Sequence, residues 1–274
     1  MKKGFFQSAI ITGGSSGIGL AIAELAAAGG SDVCILARNE ERLKTAGERI
    51  KARFVREDQK AEYISLDISD SEAVQSLLGG FLEKNSPPDL LVNSAGIVYP
   101  DYFENIPDDA FRRLMDTNVT GTWNVCKCVL PYMKKAGRGT LVNVSSIAGF
   151  VGVFGYSAYS TSKFAVIGFS EVLRSELKPH NIKVHVLCPP DTDTPQFAEE
   201  EKMQPKETKA VSGTVKVVSP EFVADACFRD ISRNKFMIIP SAMGKITYTA
   251  KRLFPGFVFS TMDKDIKKVK TGSE

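Results

Sequence analysis

Short apolar runs rich in β-branched residues alternate with longer amphipathic stretches from residue 8 to about residue 240, and this alternation constrains the fold more than any other feature. The strand candidates are Ser8–Thr12, Asp32–Ala37, Ala61–Leu66, Leu90–Asn93, Thr140–Ser145, Lys183–Leu187 and Phe236–Ile239. Most are continuously apolar rather than alternating, the pattern of strands buried on both faces of a helix-covered parallel sheet. Helices are predicted to start near Ile18, Glu40, Glu72, Pro107, Thr120, Ala158 and Pro220. That order predicts an α/β fold, a doubly wound parallel sheet of about seven strands with helices on both faces. A length of 274 residues suits one such domain. Two segments stand apart from the rhythm: a polar insert over 191–218 and an extension over 240–274. The insert is expected at the carboxyl end of the sheet, where ligands bind, or else as a disordered loop.

The first predicted strand runs straight into Thr12-Gly13-Gly14-Ser15-Ser16-Gly17-Ile18-Gly19 and a helix. In this position the glycines point to a Rossmann-like dinucleotide site. Gly13 would turn the chain, Gly17 would admit a pyrophosphate, and Gly19 would let the helix lie on the sheet. Ser15, Ser16 and Ile18 complete the loop at a helix N-terminus, which offers free N–H groups to phosphate. An acidic residue after the second strand would favour NAD. Here Ala37 is followed by Arg38, with Asn39 and Arg42 near. Arg38 suits a forked contact with a 2′-phosphate and so NADP(H), with Ser15 or Arg42 as other holders; the alternative is that it caps or solvates its loop. Asp67, beside Ile68, would accept from the adenine amino group. Asn93-Ser94-Ala95-Gly96 would let the chain pass beneath the cofactor, through Ala95 and Gly96, with Asn93 either a cofactor contact or a hydrogen-bonding residue of the sheet.

Ser145-Ser146 ends the fifth predicted strand, and Tyr159 and Lys163, four apart, share one helix face. A free phenol titrates near ~10 and shuttles protons poorly at neutral pH. A neighbouring ammonium is expected to lower that value, so that Tyr159 exchanges a proton with a carbonyl oxygen. Ser146 would hold the substrate oxygen and Lys163 the nicotinamide ribose.

Over nearly its whole length the chain resembles the short-chain dehydrogenase/reductase family, through the glycine loop, the N-x-A-G element, the serine and the Y-x-x-x-K pair in order. The resemblance implies an oxidoreductase of CH–OH and C=O groups. It selects Ser146, thirteen residues before Tyr159, over Ser145. It adds Asn118 as a fourth catalytic residue, holding a water that links the lysine to solvent. It also implies a homodimer or homotetramer, built from helices after Asn118 and around Tyr159. By the same resemblance Pro189, Thr192 and Thr194 contact the nicotinamide end. Pro190 replaces the family's usual glycine, so the turn is stiffer and lacks an N–H. Pro189-Pro190-Asp191-Thr192-Asp193-Thr194-Pro195, the Phe197-Ala198-Glu199-Glu200 and Lys206-Glu207-Thr208 stretches and Phe154-Gly155-Tyr156 resemble the subgroup that reduces long-chain 3-keto sphingoid bases with NADPH. Asp191 and Asp193 would then cap the loop or meet the substrate ammonium. A reductase of another hydrophobic ketone, or a non-catalytic NADP(H)-binding protein, are the alternatives.

The formal net charge of +3, without basic clustering, argues against a nucleic-acid partner. No metal is expected, since His180 and His185 lack neighbouring ligands. Cys34, Cys126, Cys128, Cys188 and Cys227 include no C-x-x-C pair and read as reduced core thiols of a cytoplasmic protein. No signal peptide is expected before Ala9-Ile10-Ile11, nor a membrane span, and the N-terminal anchor of the eukaryotic 3-keto base reductases is expected to be missing. Peripheral contact with the cytoplasmic membrane face is possible through Lys245–Lys270, where Tyr248, Phe254, Phe257, Val258 and Phe259 sit among basic residues. The same aromatics could instead line the substrate cleft or a subunit contact.

Overall fold

The computed structural model describes residues 6–212 and 216–271; residues 1–5, residues 213–215 of the insert, residues 272–274 and the side chains of Ser212, Lys270 and Thr271 lie outside the described residues. The strands are β1 (Ser8–Thr12), β2 (Asp32–Ala37), β3 (Ala61–Ser65), β4 (Leu90–Asn93), β5 (Gly139–Val144), β6 (Ile182–Leu187) and β7 (Met237–Ile238). They form one sheet in the order β3-β2-β1-β4-β5-β6-β7, with every pair parallel. Going both ways from β1 places the topological switch between β1 and β4, the crevice where such sheets bind ligands.

The continuous apolar runs are explained by the two cores. In β1, Ala9 and Ile11 pack with α1 (Gly17–Ala28) and α2 (Glu40–Lys51), while Ile10 packs on the other face with Leu36, Leu91 and Val125. A strand with neighbours on both faces has no polar side to alternate with. The edge strand β3 departs from the expectation: Glu62 and Tyr63 are exposed, because no further strand lies beyond it.

A helical stretch 71–84 (α3) contains a π-turn at Val74–Gly79. A second π-turn, Asp116–Thr120, joins α4 (Asp108–Met115) to α5 (Gly121–Ala136). The 21-residue α6 (Ser157–Leu177) carries Tyr159 and Lys163. The insert after β6 is not a plain loop but two helices, α7 (Pro195–Met203) and α8 (Lys206–Ser212). Thr194 caps α7 by accepting from the Phe197 N–H at 3.1 Å, with Pro195 at the first helical position. The insert is pinned at its base, where Val218 pairs with Thr192. The chain ends in α9 (Pro220–Ser232), α10 (Ala242–Leu253) and α11 (Pro255–Thr271). None of the described helices is long and apolar enough to cross a membrane.

Candidate active site

A cleft of about 860 Å³ opens at the carboxyl ends of the strands. Its floor begins with the glycine loop. Gly13 has φ +67°, and a Cβ there would lie 2.8 Å from the Ala95 nitrogen; Gly17 has φ +53° and is faced by the Thr194 side chain. Both positions combine left-handed backbone with a close neighbour, which glycine alone tolerates. Gly19 packs against the Gly13 carbonyl, as its helix-packing role requires. Ser16 precedes α1 without making a side-chain cap, so the first N–H groups of the helix face the cleft with no competing acceptor from that residue. Ser15, Ser16, Gly17 and Ile18 line the cleft.

Thr12 ties the two strands that frame this floor. Its buried hydroxyl accepts from the Ser94 and Ala95 N–H groups, both at 3.1 Å. At the far end Arg38, Asn39 and Arg42 line the cleft. Asn39, not Arg38, caps α2, accepting from the Arg42 N–H at 2.9 Å. Arg38 therefore has no capping task; its exposed guanidinium lies 4.0 Å from Asp67. Asp67 also accepts from the Ser69 N–H at 2.9 Å and hydroxyl at 2.7 Å. Burial works against its ionisation, but those two bonds and Arg38 hold its carboxyl below the usual range. Ile68, Ala95 and Gly96 complete this wall. Asn93 does not belong to it: its buried side chain donates to Asn143 at 2.8 Å and Cys126 at 3.2 Å, inside the sheet. Of the two sequence readings, the structure supports the hydrogen-bonding residue of the sheet.

Ser146, Tyr159 and Lys163 meet on the cleft wall. Ser145 and Ser146 divide the work at the end of β5. Ser145 is buried and donates to the Lys163 carbonyl at 2.8 Å, fixing α6, whereas Ser146 accepts from the Ala148 N–H at 3.1 Å and faces the cleft with Tyr159. Lys163 is 5% exposed and donates to the Val144 carbonyl at 3.1 Å, with its Nζ 5.5 Å from the centre of the Tyr159 ring. Burial lowers its ammonium to about 8. The expected lowering of the phenol by the lysine is not what this arrangement shows. Burial and then the negative charge of Glu200 raise Tyr159 above its ordinary range, with the Ser146 hydroxyl acting the other way. Asn118 sits in the π-turn between α4 and α5 and is buried behind the cleft rather than lining it. Its amide accepts from the Ile97 N–H at 2.8 Å and donates to the Ile97 carbonyl and the Ser162 hydroxyl, both at 2.9 Å. Its Oδ1 and the Lys163 Nζ approach the same face of Gly96.

Pro189, Thr192 and Thr194 line the wall that follows β6. The Pro189 carbonyl accepts from the Ile147 N–H at 3.1 Å, and the Thr192 hydroxyl donates to the Pro190 carbonyl at 2.7 Å. Asp191 lines the cleft, while Asp193 is exposed and does not. Beyond Tyr159 the walls become apolar, with Val151, Val153, Phe197, Met243, Phe257 and Met262. Two wall residues, Tyr156 and Glu200, escaped the sequence reading as site groups. They bond each other, and Gln204 donates to the Tyr156 hydroxyl at 2.7 Å. No motif marks the pair, because it meets across 44 residues. The described residues hold no cluster of potential metal ligands.

The short chain dehydrogenase family profile matches residues 7–205. A 3-ketodihydrosphingosine reductase of Bos taurus is 41% identical over 228 residues, spanning 83% of this chain and 69% of the relative. Among solved structures, a short-chain dehydrogenase from Sphingobium yanoikuyae in complex with NADPH has a TM-score of 0.75 at 25% identity, over 96% of this chain and 95% of that one. One from Mycobacterium paratuberculosis bound to NAD has the same TM-score of 0.75 and 25% identity, over 85% and 95%.

Proposed function

The chain belongs to the short chain dehydrogenase family and is an oxidoreductase acting on CH–OH and C=O groups, and from its cleft we propose that it uses NADPH to reduce 3-ketosphinganine to sphinganine in sphingolipid synthesis. The observation that carries this reading is the continuity of the cleft. A polar end with Ser146, Tyr159 and Lys163 runs into an apolar end of the kind an acyl chain needs. Names of relatives such as the Bos taurus protein support the same substrate. The apolar end would also suit another hydrophobic ketone, a steroid or an acyl ketone. Measuring kcat/KM for 3-ketosphinganine beside a steroid ketone and a short acyl ketone tests the choice; the sphingoid ketone should rank first.

The residues fit a dinucleotide: a glycine cradle that a Cβ would fill, the α1 N-terminus, and Arg38 with Arg42 where an NAD-selective site carries an acid. The phosphates would lie on Gly13–Gly19, the adenine beside Asp67 and Ile68, and the ribose and carboxamide by Lys163 and Thr194. Arg38 supports NADPH over NADH because its guanidinium is exposed and uncommitted to a cap. When bound, the cofactor supplies the hydride. Ser146 then hydrogen-bonds the carbonyl oxygen and Tyr159 gives that oxygen its proton. Lys163 holds charge beside the phenol, and Asn118 positions α6 through Ser162 and the Ile97 backbone beneath it. The water that Asn118 would hold, linking Lys163 to solvent, belongs to the same proposal.

A membrane-side placement is favoured by one feature. Ile246, Leu253, Phe254, Phe257 and Phe259, on α10, α11 and the residue that joins them, are exposed, and Ile246 and Phe257 line the cleft. Lys251 lies 3.7 Å over the Phe259 ring, and Lys245 and Arg252 lie on the same helix. Tyr248 instead packs inward on Phe150, ring centres 5.2 Å apart. Such a rim would gain apolar burial and attraction to anionic lipid. The five free, buried cysteines suit a reducing cytoplasm. A homodimer or homotetramer would cover the exposed Trp123, Phe164 and Val172 of α5 and α6.

A further inference from the structure

We infer that Glu200, together with Asp191, is the counter-charge for a protonated amine next to the substrate carbonyl, and so selects amino ketones over neutral ketones. The inference rests on the proposed ketone reductase reading and names the feature of substrate that this cleft would recognise.

Carboxylates buried elsewhere in the protein are neutralised by its own cations. Glu24 pairs with Arg49 at 2.7 Å and Arg53 at 3.2 Å. Asp230 faces Lys235 at 3.2 Å, Arg229 at 3.5 Å and Arg233 at 3.8 Å. Glu200 and Asp191 are partly buried in the cleft wall, yet among the described residues neither forms an ion pair. Burial raises both carboxyls, Asp191 to about 6, as expected for charges left without a partner. A fold that pairs its other buried acids but leaves these two open in an apolar cleft is complementary to a cation brought by the ligand.

Their placement is fixed and close to the chemistry. Glu200 Oε1 takes the Tyr156 hydroxyl and the Gln204 amide, the latter at 3.3 Å, leaving Oε2 without a bond among the described residues. The Tyr156 ring lies 5.7 Å from the Tyr159 ring, centre to centre. In an α-amino ketone the ammonium is one carbon from the carbonyl whose oxygen Tyr159 would protonate. Glu200 stands one side chain away from Tyr159, on Tyr156, so an ammonium beside the reacting carbonyl would lie on its side of the cleft. The ammonium would also offset the negative charge of Glu200 and Asp191, which raises the Tyr159 phenol.

The test compares 3-ketosphinganine with 1-hydroxyoctadecan-3-one, the same chain without the amine, for the wild type, Glu200→Gln and Asp191→Asn. Glutamine keeps an acceptor for Tyr156, and Asp191→Asn alters a separate segment, so one misfolded variant leaves the other informative; NADPH affinity reports folding. The ratio of kcat/KM, amino over neutral ketone, should fall about tenfold or more in Glu200→Gln, mostly through KM, and in the same direction in Asp191→Asn. A wild type that turns over the amino ketone while both variants keep the ratio within about twofold overturns the inference alone. A wild type that reduces only the neutral ketone overturns the substrate reading and the inference with it.

Discussion

The two ends of the cleft are built by different means. At the cofactor end, the wall consists of strand termini and backbone: the β1 glycine turn, Thr12 bridging to Ser94 and Ala95, and Arg38 after β2. These parts are held by the ladder of a seven-stranded sheet. At the substrate end, the wall comes from helices that follow β6 and β7 and join the body through scattered side chains. Tyr102 donates to Glu207 at 2.9 Å, Thr208 donates to the Phe154 carbonyl at 2.8 Å, and Tyr156 bonds Glu200. The contrast teaches where tolerance to change lies. The Ser146, Tyr159 and Lys163 group is fixed to the sheet, Ser146 at the end of β5 and α6 through the Ser145 and Lys163 bonds to it, whereas the helices of the other wall can vary without disturbing that framework.

The sharpest way to break that division is at Tyr159. Tyr159→Phe should lower kcat about 10²-fold or more while NADPH affinity, read by fluorescence titration, stays near wild type. A variant keeping a tenth of wild-type kcat would remove Tyr159 from the role of proton donor. Lys163→Met should also abolish turnover and weaken cofactor binding, yet raise the melting temperature at pH 7 by a few degrees, since a buried ammonium opposes folding. The sign follows from its value, lowered to about 8 from 10.5. Between those values the unfolded chain binds more protons, so wild-type stability gains with rising pH and the difference from the variant closes towards pH 10.5. A gap that is flat or widens with pH contradicts a buried charged lysine.

The cofactor end can be altered alone. Ala37→Asp with Arg38→Ala should shift the NADPH/NADH ratio of kcat/KM by about tenfold or more towards NADH, through loss of a charge-assisted contact and repulsion of the 2′-phosphate. The order of preference among ketones should not move. An unchanged cofactor ratio places the 2′-phosphate on Ser15 or Arg42 instead. The smallest effect concerns the substrate rim. Phe257→Ser with Phe259→Ser should reduce co-sedimentation with anionic vesicles severalfold and leave the melting temperature within a few degrees, because both rings are exposed. Intact protein that stays in the supernatant with anionic and neutral vesicles alike ends the docking proposal.

The same division governs what can be read from the sequence. The sheet is legible because a strand buried on both faces leaves an uninterrupted apolar run, and the glycine loop because its turn needs Gly13 and Gly17 at fixed offsets. β3 reads as more buried than it is, since an edge strand exposes Glu62 and Tyr63. Asn93 stays open between two roles in the sequence because the face a strand residue takes depends on its neighbours' register, which pairs it with Asn143. The helices of the insert carry a readable start in Thr194-Pro195, but their polar composition hides the rest. The Tyr156–Glu200 contact joins segments far apart in sequence, and no local spacing encodes it.

The central claim is that a hydride passes from nicotinamide to the carbonyl carbon of a long-chain 3-keto base while Tyr159 supplies the proton. Incubating the enzyme with 3-ketosphinganine and NADPH carrying deuterium at the transferable position, then analysing the product by mass spectrometry, measures that transfer directly. The wild type should yield sphinganine with one deuterium on the carbinol carbon, in step with NADPH consumed, and Tyr159→Phe almost none. Absence of labelled sphinganine from the wild type, or equal labelling with the variant, would contradict the account.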